Sequence, residues 1–213
     1  MPTLLQIDSS PRGTRSISRQ LTTAFAEAWL ENHPGGRIIR RDLRDYPVPH
    51  LDDPWINAAR ASSAERTAAE HRLLALSDEL IAELIEGDHF VFGVPMYNYT
   101  LPSTLKAYID TVIRSGVTVK YVEGGLKSLL GPKTATAIAV SSGSFQEGTP
   151  LASWNFLTPY LQKVLGLLAS DNVEVITVDG LANPSQRAVA IERAHAQIRQ
   201  RVQAPIAEAT ALV

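Results

Sequence analysis

Apolar positions along the chain alternate between short continuous runs and longer segments in which they recur at helical spacing. The short runs predict five strands, at residues 4–7, 37–43, 90–94, 134–140 and 173–178. The third run, FVFGV, is apolar on both faces, which is typical of a central strand in a parallel sheet. The longer segments predict helices over about residues 16–32, 64–86, 105–113, 154–168 and 184–202, and Gly87 is predicted to end the second helix in a left-handed cap.

Five strands that alternate with helices predict one doubly wound α/β domain over residues 1–213, with a five-stranded parallel sheet and helices on both faces. Residues 44–64, with three prolines, and residues 116–132, rich in glycine, show no clear periodicity. A long irregular segment such as the first is often a functional cover or an interface arm. The apolar stretch from Ala204 to the end leaves open whether it packs on a partner or frays.

Composition narrows the class of protein. A formal net charge of −2 argues against nucleic acid as a partner, because duplex binding needs concentrated Lys and Arg. The absence of cysteine excludes disulfides, thiolate metal sites and cysteine nucleophiles, and the five histidines show no ligand spacing, so no metal is expected. No apolar run is long enough for a membrane span and TLLQID lacks a signal-peptide pattern, so we expect a cytoplasmic protein without membrane contact.

The doubly wound fold predicts where a ligand binds. Ligands lie outside the carboxyl ends of the strands where strand order reverses, which selects the loops at residues 8–18, 95–103 and 141–150. The first loop contains the run SSPRGTRSIS and offers the hydroxyls of Ser10, Ser16 and Ser18 beside a helix start, which favours a single phosphomonoester. It lacks the P-loop and GxGxxG patterns. The alternative is that these residues only make a turn and Ser16 only caps its helix.

The second and third loops have unusual compositions. In PMYNY, Met96 and Tyr97 can form a flat wall for a planar heteroaromatic ring, and the backbone near Asn98 and Tyr99 can present N–H groups to it. The alternative is that Met96 and Tyr97 belong to the core and Asn98 takes a left-handed turn position. The third loop, Ser141–Ser144, offers hydroxyls and amides, with Gly143 allowing close backbone approach, unless it is an ordinary turn after a strand.

Over essentially the whole chain, these loops, in this order and spacing, resemble the FMN-dependent NADH:quinone oxidoreductase and azoreductase family of the flavodoxin-like superfamily. PMYNYTLPSTLK followed by GVTVKY and a glycine-rich segment is its most specific signature here. The resemblance implies three groups of FMN-binding residues. The phosphate would be held by Ser10, Ser16, Ile17 and Ser18, the isoalloxazine lined by Met96, Tyr97, Asn98 and Tyr99, and its pyrimidine side met by Ser141, Ser142, Gly143 and Ser144.

The resemblance also implies an activity and an assembly. NADH or NADPH would reduce FMN, and a quinone or aromatic azo compound would then take two electrons in a ping-pong cycle. Homodimers would carry one FMN per subunit, with active sites at the interface. Tyr97 and Tyr121 are candidates to orient substrate, and no catalytic acid is assigned. The chain departs from the family pattern at Ser142-Gly143-Ser144 and at Leu167, so the resemblance does not specify substrate preference.

Two other interpretations compete with the enzyme. A flavodoxin-type electron carrier would bind FMN without small-molecule catalysis, but such carriers usually show a strongly acidic docking face, which a net charge of −2 does not suggest. The second competing interpretation is a protein with a flavodoxin-like fold that has no cofactor and a purely binding role. A protein that takes up no FMN would favour it, whereas hydride transfer from NADH separates the enzyme from the carrier.

Overall fold

Seven strands and six helices make up the part of the chain that the structure, a computed structural model, describes: residues 1–170 and 172–203. The strands are β1 (Thr3–Asp8), β2 (Arg37–Asp42), β3 (His89–Pro95), β4 (Val119–Val122), β5 (Gly125–Ser128), β6 (Thr134–Val140) and β7 (Val173–Val178). The helices are α1 (Ile17–Asn32), α2 (Asp53–Arg60), α3 (Ala68–Glu86), α4 (Ser103–Val112), α5 (Leu157–Ala169) and α6 (Pro184–Gln203).

Five of the strands form one parallel sheet in the order β2-β1-β3-β6-β7. Strands β1, β3 and β6 are buried along nearly their whole length, which explains their continuous apolar runs. The chain leaves β1 towards one edge of the sheet and returns to build the other half from β3, so strand order reverses between β1 and β3. This reversal places the loops after β1 and β3 on either side of a crevice.

Helices cover both faces of the sheet, and each face has its own apolar core. One core joins the sheet to α3, α4 and α5 through residues such as Leu80, Tyr108 and Leu165. The other joins it to α1 and α6 through residues such as Phe25 and Ile198. The predicted doubly wound five-stranded α/β fold is therefore confirmed. None of the helices in residues 1–170 and 172–203 is both long and apolar enough to cross a membrane.

The boundaries of α3 differ from the prediction for local reasons. The helix begins at Ala68 rather than Ala64, because Thr67 and Glu70 form a reciprocal capping box at its start. The left-handed cap predicted at Gly87 is wrong, since its φ of −71° is extended backbone. Gly87 is instead required by packing: a Cβ there would lie 2.9 Å from the Phe90 ring and 3.2 Å from the Leu5 Cβ atom.

Two segments predicted to be irregular contain secondary structure. Residues 44–64 include α2, whose start is capped by the Asp52 carboxylate accepting from the Trp55 amide at 2.9 Å. Residues 116–132 include an antiparallel hairpin of β4 and β5, which turns at Gly124 with a φ of +88°. The expectations of purely irregular structure in these segments were wrong. The stretch from Ala204 onward lies outside the described residues.

Candidate active site

The loop after β1 forms one end of a cleft at the reversal of strand order. Ser10, Ser16 and Ser18 are buried and line this cleft. The Ser16 and Ser18 hydroxyl oxygens lie 3.0 Å apart, and the Ser10 hydroxyl accepts from the Arg12 amide at 3.4 Å. Ser16 also caps α1, because its hydroxyl accepts from the Arg19 amide at 3.4 Å. Capping and cleft lining are thus compatible roles for the same residue.

Arg19 holds this loop against the ends of β1 and β2, and sequence reasoning missed it. Its guanidinium donates to the Ser10 carbonyl at 3.0 Å and to both carboxylate oxygens of Asp42 at 2.5 and 2.9 Å. The Asp8 carboxylate lies 3.6 Å away. Burial raises the pKa of Asp8. For Asp42 burial is also the largest single influence and acts upward, but the hydrogen bonds from Arg19 and the Arg44 amide and the charges of both arginines together outweigh it, so the pKa of Asp42 lies below its ordinary value.

Gly93 allows β3 to lie close to the first loop and to α1. Its carbonyl accepts from the Ser9 amide at 3.2 Å and from the Ser9 hydroxyl at 2.7 Å. A Cβ at Gly93 would lie 2.8 Å from the Asp8 Oδ1 atom and 3.0 Å from the Thr22 Cγ2 atom. Thr22 in turn donates to Asp8 Oδ1 at 2.7 Å. The absence of a side chain at Gly93 therefore allows this contact between β1, β3 and α1.

The second loop turns sharply at its tip. Tyr97 and Thr100 exchange two backbone hydrogen bonds, of 2.9 and 3.2 Å, around Asn98 and Tyr99. Both central residues have positive φ, 46° for Asn98 and 72° for Tyr99, which is costly for residues other than glycine. The alternative that Asn98 occupies a left-handed turn position is therefore seen. Met96 packs partly against the core, whereas Tyr97 is 37% exposed and lines the cleft.

The third loop is held by a carboxylate that sequence reasoning missed. Asp179 accepts from the Ser141 hydroxyl at 2.9 Å and from the Phe145 amide at 2.8 Å. The Ser141 hydroxyl also lies 2.8 Å from the Gly143 carbonyl, and its single proton can serve only one of the two acceptors at a time. Asp179 directly follows β7, so the rule that ligands meet the carboxyl ends of strands was a signal for it.

The cleft brings together most, but not all, of the predicted cofactor-binding side chains. It has a volume of about 140 Å³ and contains the predicted residues Ser10, Ser16, Ile17, Ser18, Met96, Tyr97, Ser141 and Ser142. Its wall does not include the predicted residues Asn98, Tyr99, Gly143 and Ser144. Ser144 instead lines a neighbouring cavity on the α6 side. Tyr121 stands on the hairpin, 77% exposed and away from this wall. The roles assigned to these residues stay predictions.

The ring of Tyr99 contacts other aromatic side chains rather than the cleft wall. Its centroid lies 4.9 Å from that of Trp154 and 6.1 Å from that of Phe145. Within the described part of the chain, the backbone N–H groups of Asn98, Tyr99 and residues 142–144 donate no hydrogen bond. These residues therefore offer backbone donors even though their side chains do not line the cleft.

Three arginines that sequence reasoning did not assign also line the cleft: Arg12, Arg15 and Arg187. Arg12 and Arg15 lie in the SSPRGTRSIS run, so their positive charge beside the hydroxyls was visible in the sequence. Arg187 comes from the first turn of α6, and only the tertiary fold brings it there. Among residues 1–170 and 172–203, no acidic side chain lines the cleft, so its hydroxyl-rich end is positively charged.

The donor set of the cleft fits a flavin mononucleotide. Buried serine hydroxyls and guanidinium groups at one end suit a phosphomonoester, and Pro95, Met96 and Tyr97 form an apolar surface at the other. A volume of about 140 Å³ is smaller than the roughly 300 Å³ or more of pockets that enclose a whole ligand. One chain would therefore not enclose a whole FMN by itself.

Strand order and cleft position define a protein of the flavodoxin-like class, and comparison with known proteins agrees. The chain matches the model of a family described as having a flavodoxin-like fold over residues 2–202. An FMN-dependent NADH:quinone oxidoreductase of Trichormus variabilis is 44% identical over 182 residues, covering 85% of this chain and 88% of the relative. One from Acidobacterium capsulatum is 44% identical over 187 residues, covering 86% and 90%.

A solved structure adds to this comparison. The crystal structure of an azoreductase from Bacillus anthracis superposes with a TM-score of 0.85 at 26% identity, covering 95% of this chain and 99% of that one. The chain belongs to the flavodoxin-like family that contains the FMN-dependent NADH:quinone oxidoreductases. The resemblance inferred from the three loops is thus confirmed.

Proposed function

We propose that this protein is an FMN-dependent NADH:quinone oxidoreductase that also cleaves aromatic azo compounds. The observation that carries the proposal is the cleft at the reversal of strand order, which joins a positively charged, hydroxyl-rich end to an apolar surface. The names of the relatives support the same activity. They do not favour a flavodoxin-type electron carrier without its own small-molecule catalysis.

The residues of the cleft divide the binding of FMN between them. Ser10, Ser16 and Ser18 would hold the phosphate, with the amides at the start of α1 as further donors. Met96 and Tyr97 would support the flat ring. When bound, FMN would supply the two-electron chemistry that no side chain of this cysteine-free protein provides.

The chain's own contribution to the reaction is orientation and electrostatics. The uncommitted backbone N–H groups of Asn98, Tyr99 and residues 142–144 are candidates to stabilise negative charge on the ring edge, in the manner of an oxyanion hole. Tyr97, exposed at the mouth of the cleft, would orient the nicotinamide or the quinone over the ring. No side chain is assigned as a catalytic acid, so solvent would supply protons.

A homodimer with active sites at the interface accounts for several exposed aromatic residues. Trp154 and Phe156 are 50% and 60% exposed, and Trp154 packs beside Tyr99 near the cleft. Tyr121 projects from the hairpin. A partner subunit that covers these side chains would also close the open side of the ring site. Sedimentation equilibrium measures the assembly directly, and a monomer at micromolar concentration would refute it.

Steady-state kinetics test the proposed activity. The FMN-reconstituted protein should oxidise NADH with benzoquinone as acceptor, and double-reciprocal plots at several quinone concentrations should be parallel because both substrates use one site in turn. The same protein without FMN is the matched control. Absence of NADH oxidation by protein that retains FMN would favour the electron carrier instead. We propose a cytoplasmic location for the protein.

A further inference from the structure

Arg187 lines the same cleft as Ser10, Ser16 and Ser18, although it comes from the other end of the chain. It lies in the first turn of α6, and its amide donates to the Asn183 carbonyl at 3.0 Å. The segment before α6 is fixed to the third loop, because the Gly180 amide donates to the Gly143 carbonyl at 2.9 Å and the Ala182 amide to the Ser142 carbonyl at 3.0 Å. The position of Arg187 is therefore set by the fold and not by a free loop.

Three arginines give the lining of the cleft its positive charge. In the part of the chain that the structure describes, Arg12, Arg15 and Arg187 line it without forming an ion pair, and no carboxylate lines it with them. Arg19 differs, since its guanidinium is already engaged by Asp42. Three like charges around a few hydroxyls repel one another, and a bound dianion would reverse this unfavourable interaction.

A guanidinium suits a phosphomonoester better than it suits any other part of a flavin. Its planar set of donors matches two phosphate oxygens at once, and such charge-assisted pairs are about twice as strong as neutral hydrogen bonds. The serines and the helix start approach the cleft from α1, and Arg187 approaches it from α6. The two sets of donors therefore come from different elements.

We propose that Arg187 is a phosphate-recognition residue that closes the tail end of the cleft and makes the site select FMN over unphosphorylated riboflavin. This inference rests on the proposed FMN-dependent function. Riboflavin has the same ring and the same hydroxylated chain, so Arg187 can distinguish the two ligands only through the phosphate. Its contribution should therefore appear in the affinity for FMN and not in the affinity for riboflavin, which changes the ratio of the two dissociation constants.

Dissociation constants of FMN and riboflavin, measured by fluorescence titration for wild type and variants, test the proposal. Arg187→Gln should weaken FMN binding at least about tenfold and leave riboflavin binding within about twofold of wild type. Arg187→Lys should fall between them, since an ammonium keeps the charge but loses the planar pair. Arg193→Gln is the matched control: Arg193 is exposed on the same helix, carries the same charge and does not line the cleft.

Three results would overturn the proposal. Unchanged affinities for both FMN and riboflavin in Arg187→Gln would make Arg187 an ordinary solvated side chain. An equal loss of affinity for both ligands would mean that the substitution acts through the shape of the third loop and not through the phosphate. An equal loss of FMN binding in Arg193→Gln would indicate a general effect of surface charge. Failure of the wild-type protein to bind FMN at all is a different result, because it would refute the proposed function itself.

Discussion

Replacing Gly93 by alanine should destabilise the protein and loosen the first loop of the cleft. The new Cβ atom would lie 2.8 Å from Asp8 Oδ1, a separation that real Cβ atoms do not adopt, so one of the two must move. Asp8 is buried and cannot move freely, because its Oδ1 atom accepts from Thr22 at 2.7 Å and its Oδ2 atom from Gln6 at 2.9 Å.

The size of the effect follows from these contacts. Forcing a methyl group into a packed site costs about 1–3 kcal/mol, and breaking the Thr22 hydrogen bond to a charged acceptor adds about 1.5–3 kcal/mol if Asp8 swings away. Replacing a glycine within a strand by alanine also stabilises the protein by about 0.5–1 kcal/mol, because alanine lowers the conformational entropy of the unfolded chain. We therefore expect Gly93→Ala to lower the free energy of unfolding by about 3 kcal/mol.

Urea denaturation of four proteins tests this reasoning: wild type, Gly93→Ala, Asp8→Ala and the double variant. If the clash with the carboxylate causes the loss, Gly93→Ala should cost less than about 1 kcal/mol in the Asp8→Ala background, where only the Thr22 methyl group remains close. A cost within about 0.5 kcal/mol of zero in the wild-type background, or an equal cost in both backgrounds, would exclude the contact with Asp8 as the cause of the destabilisation. FMN affinity of Gly93→Ala should also fall, because the Gly93 carbonyl holds Ser9.

Three further predictions concern the cleft and the core. Replacing Ser16 and Ser18 together by alanine should weaken FMN binding by about 1 kcal/mol or more per lost hydrogen bond. Unchanged FMN affinity would mean that these serines do not hold the phosphate. Asn98→Ala should destabilise the turn by about 1 kcal/mol, whereas Asn98→Gly should leave both unfolding free energy and FMN affinity near wild type if only the left-handed backbone matters. Burial lowers the pKa of His89 from 6.5 to about 3, so between these pH values the folded state binds fewer protons than the unfolded state. The free energy of unfolding therefore falls by about 1.4 kcal/mol for each unit by which the pH is lowered in this range. Between pH 7 and pH 5, the free energy of unfolding measured by denaturation should fall about 2 kcal/mol less in His89→Gln than in wild type. In the control variant His71→Gln, which replaces an exposed histidine, it should fall as much as in wild type.

Long buried runs made the architecture predictable from the sequence. Residues 90–94 and 134–140 are buried on both faces, so their apolar pattern is continuous and their place in the sheet follows. The β4–β5 hairpin was missed for the opposite reason. Apart from Val119, its residues are mostly exposed, so no alternating apolar face marks it in the sequence.

The candidate site was predictable where one loop supplies adjacent groups. Ser10, Ser16 and Ser18 lie on one loop and its helix start, and the rule for parallel sheets placed them at the cleft. Arg187 could not be found in this way, because its position depends on backbone bonds between the third loop and the segment before α6. The position of the Tyr99 side chain could not be predicted from the sequence either, because its orientation follows from the tight turn and from packing on Trp154.

Anaerobic titration of the FMN-reconstituted protein with NADH measures directly whether the bound flavin accepts electrons from the nicotinamide. The protein should take up one FMN per chain, its visible flavin absorption should bleach with one NADH per FMN, and benzoquinone should then restore the absorption. If the protein takes up no FMN, or if its bound FMN keeps its visible absorption in the presence of NADH, it is not an FMN-dependent NADH:quinone oxidoreductase.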